Sequence, residues 1–414
     1  MQLKDFMYYP DLGCRLAMIR CYEWRGSKSP AVRQPLSQKL WFLLGAVNLF
    51  YQNLGLVIDL LLSETQEELS AFIAQISETC SVMGLTLVGA SNMWMLLYYR
   101  TQIEAVLGDL QQLYPKQQQR LYRLDCYYEQ SSRLMKYSTA FFLFAYAYYN
   151  SLPIVELSYE LLSASHQVQY NAQSSTWYPW QLFLSRSSPQ SFAASYLCQF
   201  LSSLSGVAVI MCGQYLLCFF TTQMRLHFDA LARGLSALDA RRSGANEQLR
   251  AMIVYHSRLL RIEHEINRIF NFMFLSNFST STIAICLMGF AMVMINLAAA
   301  FKYSVGLMSF LVFSVFMCYN GTQFTSGSDK LLPAAFYNNW YDGDRNYRRM
   351  LLFFIMRSCE SRVLRAYKFT PVSMATYMAV RIRNIQLFIK FNYLLRQMLK
   401  FSYQLFTFFR AMIK

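Results

Sequence analysis

The sequence is short of charge, glycine and proline. Only 15% of its 414 residues are Asp, Glu, Lys or Arg, where soluble domains run nearer a quarter. Sixteen Gly and nine Pro are few for the many turns of an α/β fold. The ten cysteines include no Cys-x-x-Cys, and none stands at metal-ligand spacing from a histidine, so neither a disulfide framework nor a metal site is expected. The four histidines, His166, His227, His256 and His264, do not cluster, and no glycine-rich phosphate loop occurs. The convergent side chains that enzyme chemistry needs are missing, and no cofactor is expected. Residues 1–39 are polar and lack the apolar run of a secretory signal.

What the chain has in quantity is apolar surface: 55% of residues are hydrophobic and 16% aromatic. A membrane-crossing helix needs about 20 largely apolar residues. Candidates lie at 40–62, 76–99, 138–162, 193–220, 274–300 and 304–324, with a seventh after Phe369. They are too long for barrel strands and show no period-2 alternation, so the expected class is an all-α membrane protein with seven transmembrane helices. Asp59, Glu78 and Glu156 sit within or at the ends of three spans, where a charge must face a cavity or the interface. The whole chain, 1–414, reads as one membrane domain without internal repeats. Halves with matching broken spans, the sign of a transporter, are not visible, although a transporter stays as the less favoured alternative.

The net charge of +15 would suggest nucleic acid in a soluble chain. Its distribution says otherwise. Segments 1–39, 100–136, 221–270 and 325–368 hold 29 Lys and Arg, whereas the opposite loops and their spans hold only Arg186 and Lys302. The positive-inside rule places the basic segments, and with them the N-terminus, in the cytoplasm. Seven spans then put the C-terminus outside, the reverse of a rhodopsin-like receptor. No nucleic-acid partner is expected; the bilayer is.

The cytoplasmic segments look helical and long. Between Leu249 and Phe270 the apolar residues Leu249, Met252, Ile253, Leu259, Leu260, Ile266, Ile269 and Phe270 recur at helical spacing, with Arg250, Arg258, Arg261 and Arg268 between them. Spans 4 and 5 are expected to continue as helices into the cytosol. The apolar stripe must then pack on neighbouring helix extensions or on another subunit; the alternative is an amphipathic helix lying on the membrane. Two glycosylation triplets, Asn277-Phe-Ser279 and Asn320-Gly-Thr322, fall on inner helix ends and read as chance matches.

The C-terminal part carries a recognisable order of short motifs. Ser328 precedes Ala335-Phe-Tyr337 and the pair Trp340-Tyr341. A helix from Arg349 to Arg357 follows, then Phe369-Thr-Pro-Val-Ser373, Thr376-Tyr377, Leu399-Lys-Phe-Ser-Tyr403 and Phe406-Thr407. In this order, at the end of an inverted seven-span chain, they resemble the insect odorant receptor family. The span layout resembles it throughout, the motifs over roughly the last fifth. The sister family of gustatory receptors is less similar, because its usual final-span motif ends in Gln-Phe rather than Ser-Tyr; a gustatory receptor channel is the alternative reading.

One departure stands out. In the family the Thr-aromatic pair is followed within a few residues by the Leu-Lys-x-Ser-Tyr block. Here Val380–Gln397 intervenes, rich in Ile, Leu, Phe, Asn, Lys and Arg. Val-Arg can be encoded as a splice donor and the final Gln as an acceptor, and excision leaves TYMAMLKFSYQLFTFF without a gap. Residues 380–397 therefore read as a retained, in-frame intron, the alternative being a genuine insertion. Arg381, Arg383, Lys390 and Arg396 would be poor guests in a spanning helix.

The resemblance implies an odorant-gated cation channel in which a tuning subunit joins a shared co-receptor in a tetramer, in the dendrite membrane of olfactory neurons. It implies that the last span (369–414) lines the pore and that cytoplasmic helices (221–273 and 325–368) anchor the subunits. Lys400, Ser402, Tyr403, Gln404 and Thr407 give that span a polar face and are its candidate pore lining, with Lys400 expected near the inner mouth or turned aside. Trp340, Tyr341, Leu259 and Ile266 are the anchor candidates. The family's odorant pocket lies in the outer half of the bundle. There the candidates are Tyr146, Tyr149 and Ser151 beside Pro153, with Tyr196, Gln199 and Phe200 on span 4 and Met308 on span 6. Phe72, Met83 and Phe310 are further candidates. Such a pocket binds a volatile small molecule by apolar contact, with one or two orienting hydrogen bonds.

Overall fold

A computed structural model describes residues 2–23, 35–62, 69–115, 122–162, 170, 172–185, 188–294, 297–367, 369–383 and 386, with side chains at all of these except 69–75, 77, 78 and 289–303. The described chain is helical nearly throughout. After a 3₁₀ turn at Leu3–Met7 come α1 (Tyr8–Leu16), α2 (Leu36–Leu62), α3 (Leu69–Tyr98), α4 (Arg100–Leu113) and α5 (Leu124–Leu162). Then follow α6 (Pro189–Ala237), α7 (Ala245–Met294), α8 (Leu297–Ser328), the short α9 (Leu331–Phe336) and α10 (Arg345–Ser358). Two-residue strands β1 (Arg365–Ala366) and β2 (Thr370–Pro371) pair antiparallel, and residues 374–383 are helical again.

Among the described residues, five helical stretches are long and apolar enough to cross a membrane: Leu36–Leu62, Thr79–Tyr98, Pro189–Ala237, Ala245–Met288 and Ser304–Phe336. The third expected span, 138–162, lies inside α5, but its tyrosines, serines and Asn150 make it less apolar than the other five. The seventh expected span falls mostly outside the described residues. The helices turn apolar side chains outward in a way that water would not tolerate. On α2, Leu40, Trp41, Leu43, Val47, Phe50 and Leu61 are exposed, and on α5, Phe144, Val155 and Tyr159. That is the surface a bilayer covers.

Helices α6 and α7 are 49 and 50 residues long, about 75 Å each, against roughly 30 Å of hydrocarbon. Both therefore run far beyond any membrane. Ser188 caps α6 by accepting from Ser191 N, with Pro189 as the first helical residue. The apolar stripe of α7 meets its expected pattern: Leu249, Leu259, Ile266, Ile269 and Phe270 are buried, and Arg250, Arg258, Arg261 and Arg268 point outward. What covers the stripe is the chain itself, since these residues belong to the main core with α6, α9, α10 and β1. A helix lying on the membrane surface is thereby excluded. Leu259 and Ile266, expected among the subunit-anchoring side chains, are fully enclosed; they hold the chain's own helices together, and no second subunit can touch them in this packing.

The N-terminal segment belongs to the same core. Leu3, Phe6 and Met7 are buried. Gly13 lies so close to Cys212 that a Cβ would come within 2.8 Å of its Cα, which only glycine permits. Arg100 donates to the carbonyls of Arg20 (2.7 Å) and Cys21 (2.8 Å) and lies over the Tyr22 ring. Similar ties join the other basic segments. Arg225 donates to Gln130 Oε1 at 3.1 Å, Arg241 Nε to Asp342 at 2.9 Å, and Asn246 to Asp344 at 2.9 Å. All four basic segments thus meet at one end of the molecule. The glycosylation triplets are closed to modification: Asn277 and Asn320 are buried within helices.

Candidate ligand cavity

At the opposite end, a cavity of about 170 Å³ opens among α2, α3, α5, α6, α7 and α8. Its wall follows helical faces. On α6 it takes Ser202, Ser203, Gly206, Val207 and Ile210, and on α5 Phe142, Ala145, Tyr146, Tyr149 and Asn150; both sets recur at three and four residues. The small residues of α6 leave the space and the aromatic residues of α5 line it. Phe310, Phe313 and Met288 close the side toward α7 and α8. Among the described residues no Asp, Glu, Lys, Arg or His lines it, so a charged ligand would lose its hydration without a counter-ion there.

An irregular segment covers the cavity. Residues 172–183 fold back into the bundle and bring Gln173 and Ser174 to the cavity wall. Gln199 holds this cover from α6: its Nε2 donates to Ser174 O at 2.9 Å, and its Oε1 accepts from Ser174 N at 3.3 Å. Trp177 N donates to Gly55 O at 3.1 Å, and a Cβ at Gly55 would strike Trp177 O at 2.6 Å. The buried Tyr178 ring stacks on Trp180 at 4.5 Å and on Tyr51 at 5.7 Å. Gln173 Nε2 donates to Asn150 Oδ1, and Asn150 Nδ2 to Tyr146 O at 2.7 Å. Most polar groups around the cavity are thus committed to one another. The Ser202 hydroxyl is not: it is buried, lines the cavity and makes no hydrogen bond among the described residues. Gln52, 5% exposed, lines the same space.

The structure places the expected pocket residues unevenly. Tyr146, Tyr149 and Phe310 line the cavity. Phe200 stands behind Tyr146 with ring centres 5.6 Å apart. Tyr196 donates to Asn150 O at 2.8 Å, and Gln199 fastens the cover. These three support the wall without lining it. Ser151 is exposed, with its hydroxyl on Tyr148 O, and Met308 is 49% exposed; both face away. Met83 is half-buried outside the lining, which takes its neighbour Val82 instead. The Phe72 side chain and the pore candidates Lys400, Ser402, Tyr403, Gln404 and Thr407 lie outside the described residues. Sequence reasoning missed Leu49, Gln52, Thr86 and Ser202, since a polar residue on an apolar helix does not announce which neighbour it faces.

The anchor candidates Trp340 and Tyr341 lie at the basic end, 38% and 66% exposed. Phe336 and Tyr337 at the end of α9, and Leu352, Phe353 and Met356 on α10, are exposed as well. Helix α10 is fixed by Asp344, whose Oδ1 accepts from Tyr347 N at 2.7 Å, and by Phe354 against His256 at 4.8 Å.

The sequence profile of the 7tm Odorant receptor family matches residues 73–381. Odorant receptor 69a, isoform B, of Drosophila melanogaster is 40% identical over 413 residues, covering 100% of each chain. Odorant receptor 85c of the same species is 29% identical and covers 77% of this chain and 81% of its own. Among solved structures, the insect olfactory receptor OR5 from Machilis hrabei superposes with a TM-score of 0.76 at 12% identity, covering 94% of this chain and 98% of that one. The same receptor in complex with eugenol gives 0.73 at 14% identity, with 93% and 98% covered. A covered apolar cavity in a helical membrane-type bundle, a profile match over most of the length and a full-length relative agree: this chain belongs to the odorant receptor family of insects.

Proposed function

We propose that this chain is the odorant-binding subunit of a ligand-gated, non-selective cation channel, assembled with a shared co-receptor in the plasma membrane of olfactory neuron dendrites. The observation that carries the reading is the covered, uncharged cavity of about 170 Å³. For scale, an apolar cavity of about 150 Å³ holds benzene. Eugenol, bound to the Machilis receptor of the same fold, supports a small organic ligand here.

Assembly is supported by the exposed apolar residues at the basic end. His256, which α10 packs against, lies 18 residues from Phe274, on the order of 27 Å further along α7. A bilayer that covers the spans does not reach Leu352, Phe353 and Met356. A protein partner is the remaining cover for such a patch, and with Trp340 and Tyr341 it forms the subunit anchor in place of Leu259 and Ile266. In the full arrangement seven helices cross the membrane, the N-terminus is cytoplasmic and the C-terminus extracellular. The last span presents Lys400, Ser402, Tyr403, Gln404 and Thr407 to the pore, and residues 380–397 derive from an intron. Ligand shifts the channel by binding its open state more tightly than its closed state.

The test is an odorant panel on cells expressing the chain, with and without residues 380–397, alone and with the co-receptor. The reading expects odorant-evoked cation current that needs the co-receptor and the shortened form. Silence of both forms toward every volatile, with the protein at the cell surface, would contradict it.

A further inference from the structure

A second, polar concavity lies at the basic end, a groove of about 1430 Å³ between the start of α5, the end of α6, the end of α8 and α9. Four cations line it, Arg123, Arg225, Arg233 and Lys330, against two carboxylates, Asp229 and Asp329. Asp229 is already engaged: Lys330 Nζ stands 2.9 Å from its Oδ1, and the Tyr127 hydroxyl donates to its Oδ2. Asp329 is exposed. Three guanidiniums are therefore left with little negative charge to meet them. Arg225 is held by its Nη1 bond to Gln130 and by the Tyr127 ring 5.4 Å below. Its Nε is nonetheless buried without an acceptor, as are Nε and Nη2 of Arg233. A guanidinium cannot shed its proton, so these donors need an acceptor from outside the described residues.

The groove also has a definite height. Arg225 is the first charged residue along α6, and α8 carries no charge between Lys302 and Asp329. On α5, residues 137–155 are uncharged. The groove thus begins where three helices leave their apolar runs, at the level of lipid headgroups.

We propose that this groove binds a phosphate monoester, supplied by a phosphorylated inositol lipid of the adjoining leaflet. The fork of Arg233, with Arg225 beside it, suits the paired oxygens of a phosphate dianion, and Arg123 and Lys330 add charge at the rim. The assignment of the leaflet as cytoplasmic rests on the orientation proposed above; binding to the groove does not, so the two can fail separately.

The test uses the full chain in phosphatidylcholine nanodiscs. Short-chain phosphatidylinositol 4,5-bisphosphate, phosphatidylinositol and free inositol trisphosphate are titrated against it. The bisphosphate lipid is expected to bind about tenfold or more tightly than phosphatidylinositol. Arg233→Gln and Arg225→Gln should each weaken it about tenfold. Arg233→Lys, which keeps the charge but not the fork, should fall between. Arg242→Gln, whose side chain is 81% exposed and outside the groove, should bind as the unaltered chain does. Inositol trisphosphate binding as tightly as the lipid would overturn the lipid source. Failure of the unaltered chain to prefer any phosphorylated probe, or an equal loss in Arg242→Gln, would overturn the site.

Discussion

Ser202 is the residue on which ligand choice should turn. Its hydroxyl is a buried group of the cavity wall that makes no hydrogen bond among the described residues, and a ligand oxygen or N–H that meets it gains a hydrogen bond water no longer supplies. Such a bond is worth about 0.5–1.5 kcal/mol net. Ser202→Ala should therefore weaken the response to an oxygenated ligand about three- to tenfold, while a hydrocarbon of the same skeleton loses little. Paired dose–response curves for the two ligands check this; equal shifts for both would remove Ser202 from the site. At the other end, burial pushes the Asp11 carboxyl up to about 6, against the pull of Arg15 and Lys4, and its Oδ1 has no hydrogen-bond partner among the described residues. Since the folded state raises the pKa, it binds the proton more readily than the unfolded chain. Asp11 thus costs stability as pH rises from about 4 to 6, and the cost is complete above that window. Asp11→Asn should stabilise the detergent-solubilised protein at pH 7 by about 1–2 kcal/mol. Melting temperatures of the two forms should converge near pH 4; a gap that persists there would refute the burial cause. Little of this residue-scale detail was legible in the sequence. Tyr146 and Tyr149 could be found because aromatic side chains near a helix end invite attention, whereas Ser202 and Gln52 gain their meaning only from what other helices leave unfilled.

Elements were more legible than residues. The alternation of apolar and arginine positions on α7 follows from helical period alone, and the structure buries Leu249, Leu259, Ile266, Ile269 and Phe270 and half-buries Met252, Ile253 and Leu260. Period does not reveal which surface covers a stripe. The sequence allowed Leu259 and Ile266 to face another subunit, and the chain's own α6, α9 and α10 took that place. The exposed face passed instead to α10, a helix capped by Asp344 and seated through Phe354. Phe353, 61% exposed, is the side chain to test. Phe353→Asp should leave the chain's helicity intact, because it removes no buried contact, but abolish co-purification with the co-receptor by placing an unpaired charge in an apolar contact. Undiminished co-purification would mean that α10 is not the anchor. The cover at 172–183 had no sequence signal, since it is an irregular segment held by Gln199 and Gly55 through backbone groups.

At the scale of the whole molecule, positive charge made the arrangement readable. The four basic segments are far apart in sequence, yet hydrogen bonds tie them together at one end. The covered cavity stands at the other. The cavity and the basic end are thus separate, joined by helices that run through both, and under the proposed function ligand belongs to the first and assembly to the second. Span number was less legible, because a helix rich in tyrosine and serine such as α5 stays below the hydropathy of its neighbours. The central claim is that ligand acts from within the cavity. Ala145 is 7% exposed and on the cavity wall, so a larger side chain there occupies the space a ligand would use. Odorant dose–response should be recorded for the form without residues 380–397 and for the same form carrying Ala145→Phe, each with the co-receptor and at matched surface level. The account predicts that Ala145→Phe keeps its basal current and loses the response to the shortened form's best ligand by tenfold or more; an unchanged dose–response would contradict it.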